Sequence, residues 1–344
     1  MRKIAKAPKS VIENGAFQYG CYNQPIEKVN LLDAKIGGLG FAKNFKLREW
    51  QAFQLYSDQG WFIMAALYNT KKVCLVQFIV YNTRTKKKIR CEKKVLPGSL
   101  SIPSGLHNTT ASHRSKGFFF EVKHDVNGFD LTMNVHIDAR KSNPRISAKF
   151  RGLHDCGSNT PMVTCMPFSQ KRGMYSHKCL MPVEGELLIG DELVRFEKES
   201  SSIIIDDHKG FYPYRTKYDW ATALGFGDNG VRVGFNLTDN QVLDQERYNE
   251  NCYWSDGEMV PLPPVKFVRP NGCKGKWLIQ DQEGLVDLEF TPEIHNSVRL
   301  NLLLLASKYE GPYGVFNGKV KSVDGRVFEV SDLFGMGEQF YLRS

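Results

Sequence analysis

The sequence predicts an all-β protein built from two packed antiparallel β-barrels or sandwiches, with little helix. Apolar residues recur at every second position in many short segments, whereas the helical period of about 3.6 residues is nearly absent. Clusters of Gly, Asn, Asp and Ser separate these segments and can supply the turns between strands. A chain of 344 residues, of which 42% are hydrophobic, is long enough for two domains that each have a core.

Three hairpins are predicted in the central part of the chain. Gly117–Asp138 alternates regularly between apolar and polar residues, and Asn127-Gly128 can form its turn. The second hairpin covers Val183–Glu197 and turns at Gly190-Asp191, and the third covers Asp219–Thr238. Strands of this length, at intervals of about 8–12 residues, are typical of β-barrels and sandwiches.

The C-terminal part continues the same pattern. We predict strands at Val286–Phe290, Val298–Ser307, Gly314–Val323 and Arg326–Val330, with Asp324-Gly325 as the turn before the last of them. The sequence therefore remains β-structured to its end.

Two longer polar segments interrupt the strands and are predicted as loops, Pro97–Lys116 and Asp244–Pro264. Gly, Asp, Ser, Asn and Pro also cluster at Gly152–Met162, where we place the domain boundary. The predicted domains are 1–155 and 156–344, and strands can be exchanged between these halves.

The net charge of +9 is concentrated in Thr83–Lys94 and in the first ten residues. Such charge can indicate a nucleic-acid or membrane partner, because Lys and Arg displace counterions from polyanions. No recognition motif accompanies it, so we interpret both segments as solvated surface and expect no nucleic-acid partner. No apolar run approaches the roughly 18 residues of a membrane span, and no transmembrane segment is expected.

The eight cysteines include no CxxC pair, which favours a reduced, cytoplasmic protein. His154, Asp155 and Cys156 are neighbouring side chains of metal-binding type, but no second pair follows them at a useful spacing. We therefore expect neither a metal nor a cofactor.

The densest group of polar and aromatic residues follows three consecutive isoleucines at 203–205. We expect these to form a buried strand that ends at Asp206, Asp207 and His208. A carboxylic acid that a cavity keeps neutral can donate a proton, because desolvation raises its pKa. The alternative is that these residues cap a turn and the neighbouring rings are ordinary core. Four aromatic residues follow in the same segment: Tyr212, Tyr214, Tyr218 and Trp220.

Alternation places Tyr218 and Trp220 on one face of their strand, where they can form an aromatic wall. Two other polar–aromatic groups are candidates for the same site. They contribute the following ligand-binding candidates: His177, Lys178, Glu250, Trp254 and Asp256.

A family resemblance rests on the order of short motifs that cover nearly the whole chain. The motifs are Arg48–Phe53, Gly60–Phe62, Tyr175–Gly190, Asp206–Tyr214 with Tyr218–Trp220, Gly234–Asn240, and Gly311–Gly314 with Gly335–Glu338. In this order they resemble an uncharacterised bacterial family with a domain of unknown function. That family is distantly similar to the carotenoid 1,2-hydratase (hydroxyneurosporene synthase) and AttH-like superfamily.

The resemblance implies a pair of lipocalin-like β-barrels and a chemistry of hydratases and cyclases that act on hydrophobic polyenes or prenyl groups. It also implies a catalytic aspartate at Asp206-Asp207-His208, and a structural or active-site role for Glu338 in the final strand.

Our leading hypothesis is a cavity, within or between the barrels, that binds a largely apolar small molecule. The protein would act on it as a cofactor-independent hydro-lyase or isomerase, by hydration, isomerisation or cyclisation. Asp207 or Asp206 would protonate an alkene or leaving group, and His208 and Lys178 would orient the acid or a water. Trp220 and its neighbour Tyr218 would shield a developing cation.

Two alternatives remain at this point. A non-catalytic lipocalin-like binding protein would have the same fold, with its acids satisfied by backbone donors. A glycan-active enzyme would pair Asp207 with Glu250 or Asp256 along an open groove floored by Trp254.

Overall fold

The computed structural model describes residues 2–37, 40–72, 74–140, 143–301 and 306–343. The predicted all-β class is confirmed, since strands dominate and the helices of the described ranges are short. These helices are α1 (Gly40–Lys46) and two 3-10 helices, Leu31–Asp33 and Pro97–Ser99. Nowhere in these ranges is a helix long and apolar enough to cross a membrane.

In the described part of the chain, the first sheet contains 15 strands and forms a nearly closed barrel. Two further strands of this region, β2 and β3 below, pair only with each other. The strands are β1 (Ile4–Ala5), β2 (Ile12–Glu13), β3 (Ala16–Phe17), β4 (Gly20–Tyr22), β5 (Arg48–Ser57), β6 (Trp61–Asn69), β7 (Cys74–Asn82), β8 (Lys88–Val95), β9 (Leu100–Ser101), β10 (Thr109–Ser115), β11 (Phe118–Asp125), β12 (Asp130–Ile137), β13 (Ile146–Leu153), β14 (Met162–Pro167), β15 (Gly173–Ile189), β16 (Glu192–Phe196) and β17 (Ser201–Gly210).

The second sheet contains 11 strands within the described residues and forms a half-barrel. Its strands are β18 (Arg215–Phe226), β19 (Arg232–Asp239), β20 (Cys252–Ser255), β21 (Glu258–Pro261), β22 (Lys266–Val268), β23 (Trp277–Gln280), β24 (Val286–Ile294), β25 (Ser297–Asn301), β26 (Ala306–Glu310), β27 (Tyr313–Lys321) and β28 (Val327–Arg343).

Strand pairing orders the first sheet β8-β7-β6-β5-β17-β15-β13-β12-β11-β10-β9. β17 therefore lies between β5 and β15, far from either end of the sheet. The second sheet runs β21-β20-β19-β18-β28-β27-β24-β23-β22. Each sheet encloses its own apolar core, with Phe53, Phe120 and Phe150 in the first and Phe235 and Phe316 in the second.

The three predicted hairpins are confirmed as β11–β12, β15–β16 and β18–β19. The prediction of a single strand at Val298–Ser307 is wrong, because this segment contributes to two strands, β25 and β26, which pair with each other. Residues 302–305 lie outside the described residues. The segments Pro97–Lys116 and Asp244–Pro264 are not continuous loops. They contain the strands β9, β10, β20 and β21. Their composition is polar, so the sequence does not indicate these strands, which form by pairing with neighbouring strands.

β17 differs from its predicted form, since it does not end at Ile205 but continues to Gly210. All its residues are buried, because it is part of the barrel wall and the second sheet packs against its outer face. Ile203 and Ile205 point into the barrel core, whereas Ile204 packs into a third apolar cluster between the two sheets. Burial on both faces explains the run of isoleucines, which shows no alternation.

The chain leaves the first sheet after Gly210 and enters the second at Arg215. The division predicted at 155/156 falls between β13 and β14, inside the first sheet. That division stays a prediction, because membership of a sheet does not by itself define a folding unit.

Candidate functional site

A cavity of about 870 Å³ lies between the outer face of the first barrel and the facing side of the second sheet. The first barrel lines it with side chains of β5, β6, β7, β8, β15 and β17, and the second sheet with those of β18, β19, β25, β26 and β28. Most of the lining surface is apolar and aromatic, and 12 charged residues also line the cavity. This combination is typical of pockets that bind small organic molecules.

Strand register brings the charged and aromatic groups of the cavity into contact. Lys178 on β15 lies directly opposite Asp206 on β17. His208, two residues further along β17, lies opposite Trp50 on β5. In the second sheet, Trp220 lies opposite Glu338. Because cross-strand partners share a face of a sheet, these pairs point into the same space.

A buried cation forms the polar centre of the cavity. Lys178 Nζ lies 2.6 Å from Asp206 Oδ1 and 3.7 Å from Glu250 Oε2, and its side chain is only 2% exposed. Burial alone would lower the pKa of Lys178, but the carboxylates of Asp206 and Glu250 raise it above its usual value. Thr238 Oγ1 donates a 2.9 Å hydrogen bond to Glu250 Oε1. The site therefore holds a fixed positive charge between two acids.

Glu338 is the acid whose protonation is most altered within the cavity. Burial, assisted by the charge of Asp206, raises its pKa to about 7. Tyr218 donates a 2.9 Å hydrogen bond from its hydroxyl to Glu338 Oε1. At neutral pH both forms of this carboxyl group are populated, which is the property that a general acid or base needs.

His208 is held as a neutral ring. It stacks on Trp50 with 4.2 Å between ring centroids, and the Tyr212 hydroxyl is hydrogen-bonded to its Nε2. Burial and the charge of Lys178 lower the pKa of His208 well below its usual value. Its Nδ1 lies 3.9 Å from Asp206 Oδ1, so the imidazole has one nitrogen near the ion pair.

The aromatic wall predicted on β18 is present in the cavity. The Trp220 indole lies 5.7 Å from Lys178 Nζ, and its Nε1 donates a 2.7 Å hydrogen bond to Asn236 Oδ1. Tyr218 stacks on Phe340 with 4.9 Å between centroids. Both rings therefore have fixed orientations at the edge of the charged cluster.

Nine of the sequence-predicted site residues line this one cavity. They are Asp206, His208, Tyr212, Tyr214, Tyr218, Trp220, Lys178, Glu250 and Glu338.

Asp207 and His177 do not line the cavity. Successive side chains of a strand point to opposite faces, so Asp206 faces the cavity while Asp207 faces the interior of the first barrel. There Asp207 forms an ion pair with Lys209 and accepts a 3.1 Å hydrogen bond from Gln51 Nε2. Burial raises the pKa of Asp207, and the charge of Lys209 opposes this rise.

The barrel interior also holds a group of histidines. His177 lies opposite Asp207 in the β15–β17 pairing, and its Nε2 lies 3.1 Å from His154 Nε2. His124 Nε2 is hydrogen-bonded to Gln51 Oε1, which connects this ring to Asp207. Burial lowers the pKa of His154 to about 4.

Trp254 and Asp256 lie outside the cavity as well. Trp254 is fully buried, and its Nε1 donates a 3.0 Å hydrogen bond to the Thr160 carbonyl. It therefore cannot floor an open groove, as the glycan-active alternative requires. Asp256 is exposed in the turn between β20 and β21. Of the three acids that the glycan-active alternative uses, only Glu250 lines the cavity, so Asp207 is not paired there with Glu250 or with Asp256.

Several lining residues were not singled out from the sequence as site candidates. Trp50 and Tyr68 stack on each other at 5.4 Å between centroids, and Met64 and Phe340 complete the apolar wall. Alternation within Arg48–Ser57 places Trp50 on one face of β5. It does not show that this face belongs to a cavity, because that depends on the second sheet.

Several solved structures match this chain. A crystal structure of CghA with Sch210972 has a TM-score of 0.52 and 9% identity, covering 86% of this chain and 88% of that one. Kievitone hydratase from Nectria haematococca has a TM-score of 0.48 and 11% identity, with 86% and 88% covered. A putative AttH from Nitrosomonas europaea has a TM-score of 0.47 and 11% identity, with 87% and 93% covered. At these identities the comparison with CghA shows a shared fold.

No curated protein has a matching sequence. The family described as a domain of unknown function, DUF2804, matches residues 2–343. This match confirms the family resemblance seen in the order of the motifs. The chain therefore belongs to the DUF2804 family.

Proposed function

We propose that the protein binds a largely apolar small molecule in the cavity between its two sheets and acts on it by acid–base chemistry. The reaction is a hydration, an isomerisation or a cyclisation, and it needs no cofactor. The observation that carries this proposal is Glu338, a buried carboxyl group with a pKa of about 7 at the aromatic wall of the cavity.

In the proposed reaction, protonated Glu338 transfers its proton to a carbon of a ligand double bond. A C–H bond forms, the O–H bond of the acid breaks, and a carbocation develops beside the rings of Trp220 and Tyr218. An aromatic face attracts a cation by about 0.5–2 kcal/mol. The Glu338 carboxylate then takes a proton from an adding water in a hydration, or from a neighbouring carbon in an isomerisation or cyclisation. The acid is thus regenerated in every case.

The remaining polar groups have positioning roles. Lys178 forms an ion pair with Asp206 and so fixes its carboxyl group in the cavity, where the free oxygen can accept a hydrogen bond from a water or a ligand hydroxyl. Neutral His208, held by Tyr212, lies beside it and offers a second polar contact. From the sequence, Asp207 or Asp206 was expected to be the proton donor. In this proposal the proton donor is Glu338.

The rim of the cavity suggests the polar part of the ligand. Five exposed cations line it: Lys46, Lys72, Lys94, Arg172 and Lys217. Because this excess of positive charge attracts anions, the proposed ligand has an apolar body and an anionic group, such as a carboxylate or phosphate.

The runner-up is a non-catalytic binding protein with the same ligand class. It is favoured by the ion pair of Lys178 and Asp206, since paired charges need no reaction to explain them. The two functions differ in one respect, because only the enzyme exchanges protons between ligand and solvent.

The test is a search for solvent-derived deuterium in ligands incubated with the full chain. Apolar extracts are incubated in D2O with the protein and compared by mass spectrometry. We expect one or more compounds to gain one deuterium or one molecule of D2O. Glu338→Gln should lose this activity while still binding the compound. The control is Glu329→Gln, which changes an exposed acid on the same strand and should retain the activity. Unchanged exchange in Glu338→Gln would contradict the role of this acid, and compounds that bind without any exchange would favour the carrier.

A further inference from the structure

The interior of the first barrel contains three side chains of metal-binding type that the proposed reaction does not use. The donor atoms of His154, Cys156 and His177 all lie within 4.8 Å of one another. The sequence placed only the first two close together, because His177 lies more than 20 residues further along the chain, in β15. We propose that these three residues bind a single tetrahedral transition-metal ion of the zinc(II) class.

The spacing of the donor atoms fits such an ion. Zinc binds imidazole nitrogen at about 2.0–2.1 Å and thiolate sulfur at about 2.3 Å, which places tetrahedral donors about 3.3–3.6 Å apart. His154 Nε2 lies 3.1 Å from His177 Nε2. Small movements of the Cys156 side chain are therefore enough to close the site. One histidine pair and one cysteine leave the fourth position for another ligand.

The backbone that carries the donors is held in place. His177 lies in β15 where this strand pairs with β14 on one side and β17 on the other. The segment that carries His154 and Cys156 is fixed at both ends, by a hydrogen bond from His154 N to Phe129 O and another from Thr160 N to Gly257 O. A side chain at position 257 would collide with the Ser158 carbonyl, and its φ of +78° also favours glycine.

Asp155, between the two donors, is turned away from them. Its carboxylate accepts hydrogen bonds from Gly157 N at 2.9 Å and Ser158 Oγ at 2.6 Å, and the residue is half-buried in this turn. The turn therefore separates Asp155 from its neighbours His154 and Cys156, which point inward. This arrangement gives a site of nitrogen and sulfur donors, which zinc prefers to an all-oxygen site.

Hydrogen bonding does not account for the burial of these rings. One proton can be shared between the two Nε2 atoms, but Nδ1 of His154 and Nδ1 of His177 have no partner among the described residues. Both nitrogens of His107, which is close enough to lower the pKa of His154, are also buried without a partner in that part of the chain. Buried polar groups normally have partners, so hydrogen bonds among the described residues leave this cluster incomplete. A metal ion at the two Nε2 atoms would replace the proton that they share, and each Nδ1 would then carry the N–H of its ring.

Cobalt(II) is the probe, because a tetrahedral cobalt–thiolate centre has visible bands and a near-ultraviolet charge-transfer band. The chelator-treated full chain should bind one equivalent and show both sets of bands. Cys156→Ser should lose the charge-transfer band. Cys273→Ser, a half-buried cysteine of the second sheet region, should keep it. A wild-type protein that binds no cobalt, or a band that survives in Cys156→Ser, would overturn the site.

Two further measurements do not depend on how well the variants fold. Excess zinc should raise the unfolding temperature of the wild type, because a ligand of the native state stabilises it. X-ray absorption of the zinc-loaded wild type should show one sulfur and at least two nitrogens. A shell of oxygen and nitrogen without sulfur would exclude the proposed ligands.

Discussion

Each face of β17 carries an aspartate that forms an ion pair with a lysine, but the two faces have different surroundings. On the outer face Asp206 pairs with Lys178 and lines an open cavity. On the inner face Asp207 pairs with Lys209 inside a closed barrel. Both ion pairs are buried, so an acid's burial and pairing do not identify a reaction site. What distinguishes the outer face is its access to a ligand-sized space.

The neighbouring strand β5 shows the same difference between its outer face and its inner face. Trp50 on the outer face stacks on His208 at 4.2 Å between centroids. Phe53, three residues along, faces inward and stacks on His124 at 6.0 Å. The comparison therefore extends over two strands, and it predicts that substitutions on each face have separate consequences.

The largest effect is expected from Lys209→Met. Removing one partner of a buried ion pair leaves the other charge uncompensated and costs about 3–5 kcal/mol of folding free energy. Asp207→Asn added to this variant should recover most of the loss. Denaturant unfolding measures the stability, and fluorescence of anilinonaphthalene sulfonate measures binding in the cavity.

The affinity of the folded Lys209→Met variant for this probe should equal that of the wild type. Lys178→Met should lose a similar amount of stability but also change probe binding, because Lys178 lines the cavity. If both substitutions altered the affinity equally, the two faces would not be functionally separate.

The second prediction concerns Glu338 and pH. Raising the pKa of a carboxyl group from 4.5 to about 7 on folding costs about 3 kcal/mol when the group is ionised. The folded protein binds this proton more tightly than the unfolded chain, so stability falls as pH rises from about 4.5 to about 7.

Glu338→Gln should therefore stabilise the protein by up to about 3 kcal/mol above pH 7 and have little effect near pH 4. Unfolding curves over this range measure the difference, with Glu329→Gln as the exposed control. If the stabilisation did not depend on pH, folding would not raise the pKa of Glu338.

The smallest effect is expected from Trp50→Leu. Loss of one aromatic contact should weaken binding of the fluorescent sulfonate by about 1 kcal/mol, or about fivefold in Kd. Phe53→Leu removes a ring of the inner face and should leave Kd unchanged. A fluorescence titration of both variants compares the two faces directly, and equal losses would argue against a cavity-specific role for Trp50.

Much of the fold could be predicted from local patterns. The alternation before and after Asn127-Gly128 predicts β11 and β12 because it depends only on neighbouring residues. The course of β17 could not be predicted in this way. Asp206 to Lys209 are four polar residues in succession, which normally end a strand, and only pairing with β5 and β15 extends it.

The candidate site was predictable in composition but not in geometry. The aromatic wall of Tyr218 and Trp220 follows from the period of a strand. The choice between Asp206 and Asp207 required knowledge of which face of β17 meets the second sheet. The approach of His177 to His154 is likewise a tertiary contact between segments more than 20 residues apart.

The central position of β17 makes its length as important as its composition. Loss of one residue between Ile203 and Asp206 would rotate every following side chain to the other side of the wall. Asp207 and Lys209 would then face the cavity, and Asp206 and His208 would enter the closed core. Such a chain would keep all four polar residues but exchange their surroundings, so a single deletion here would be more damaging than most substitutions.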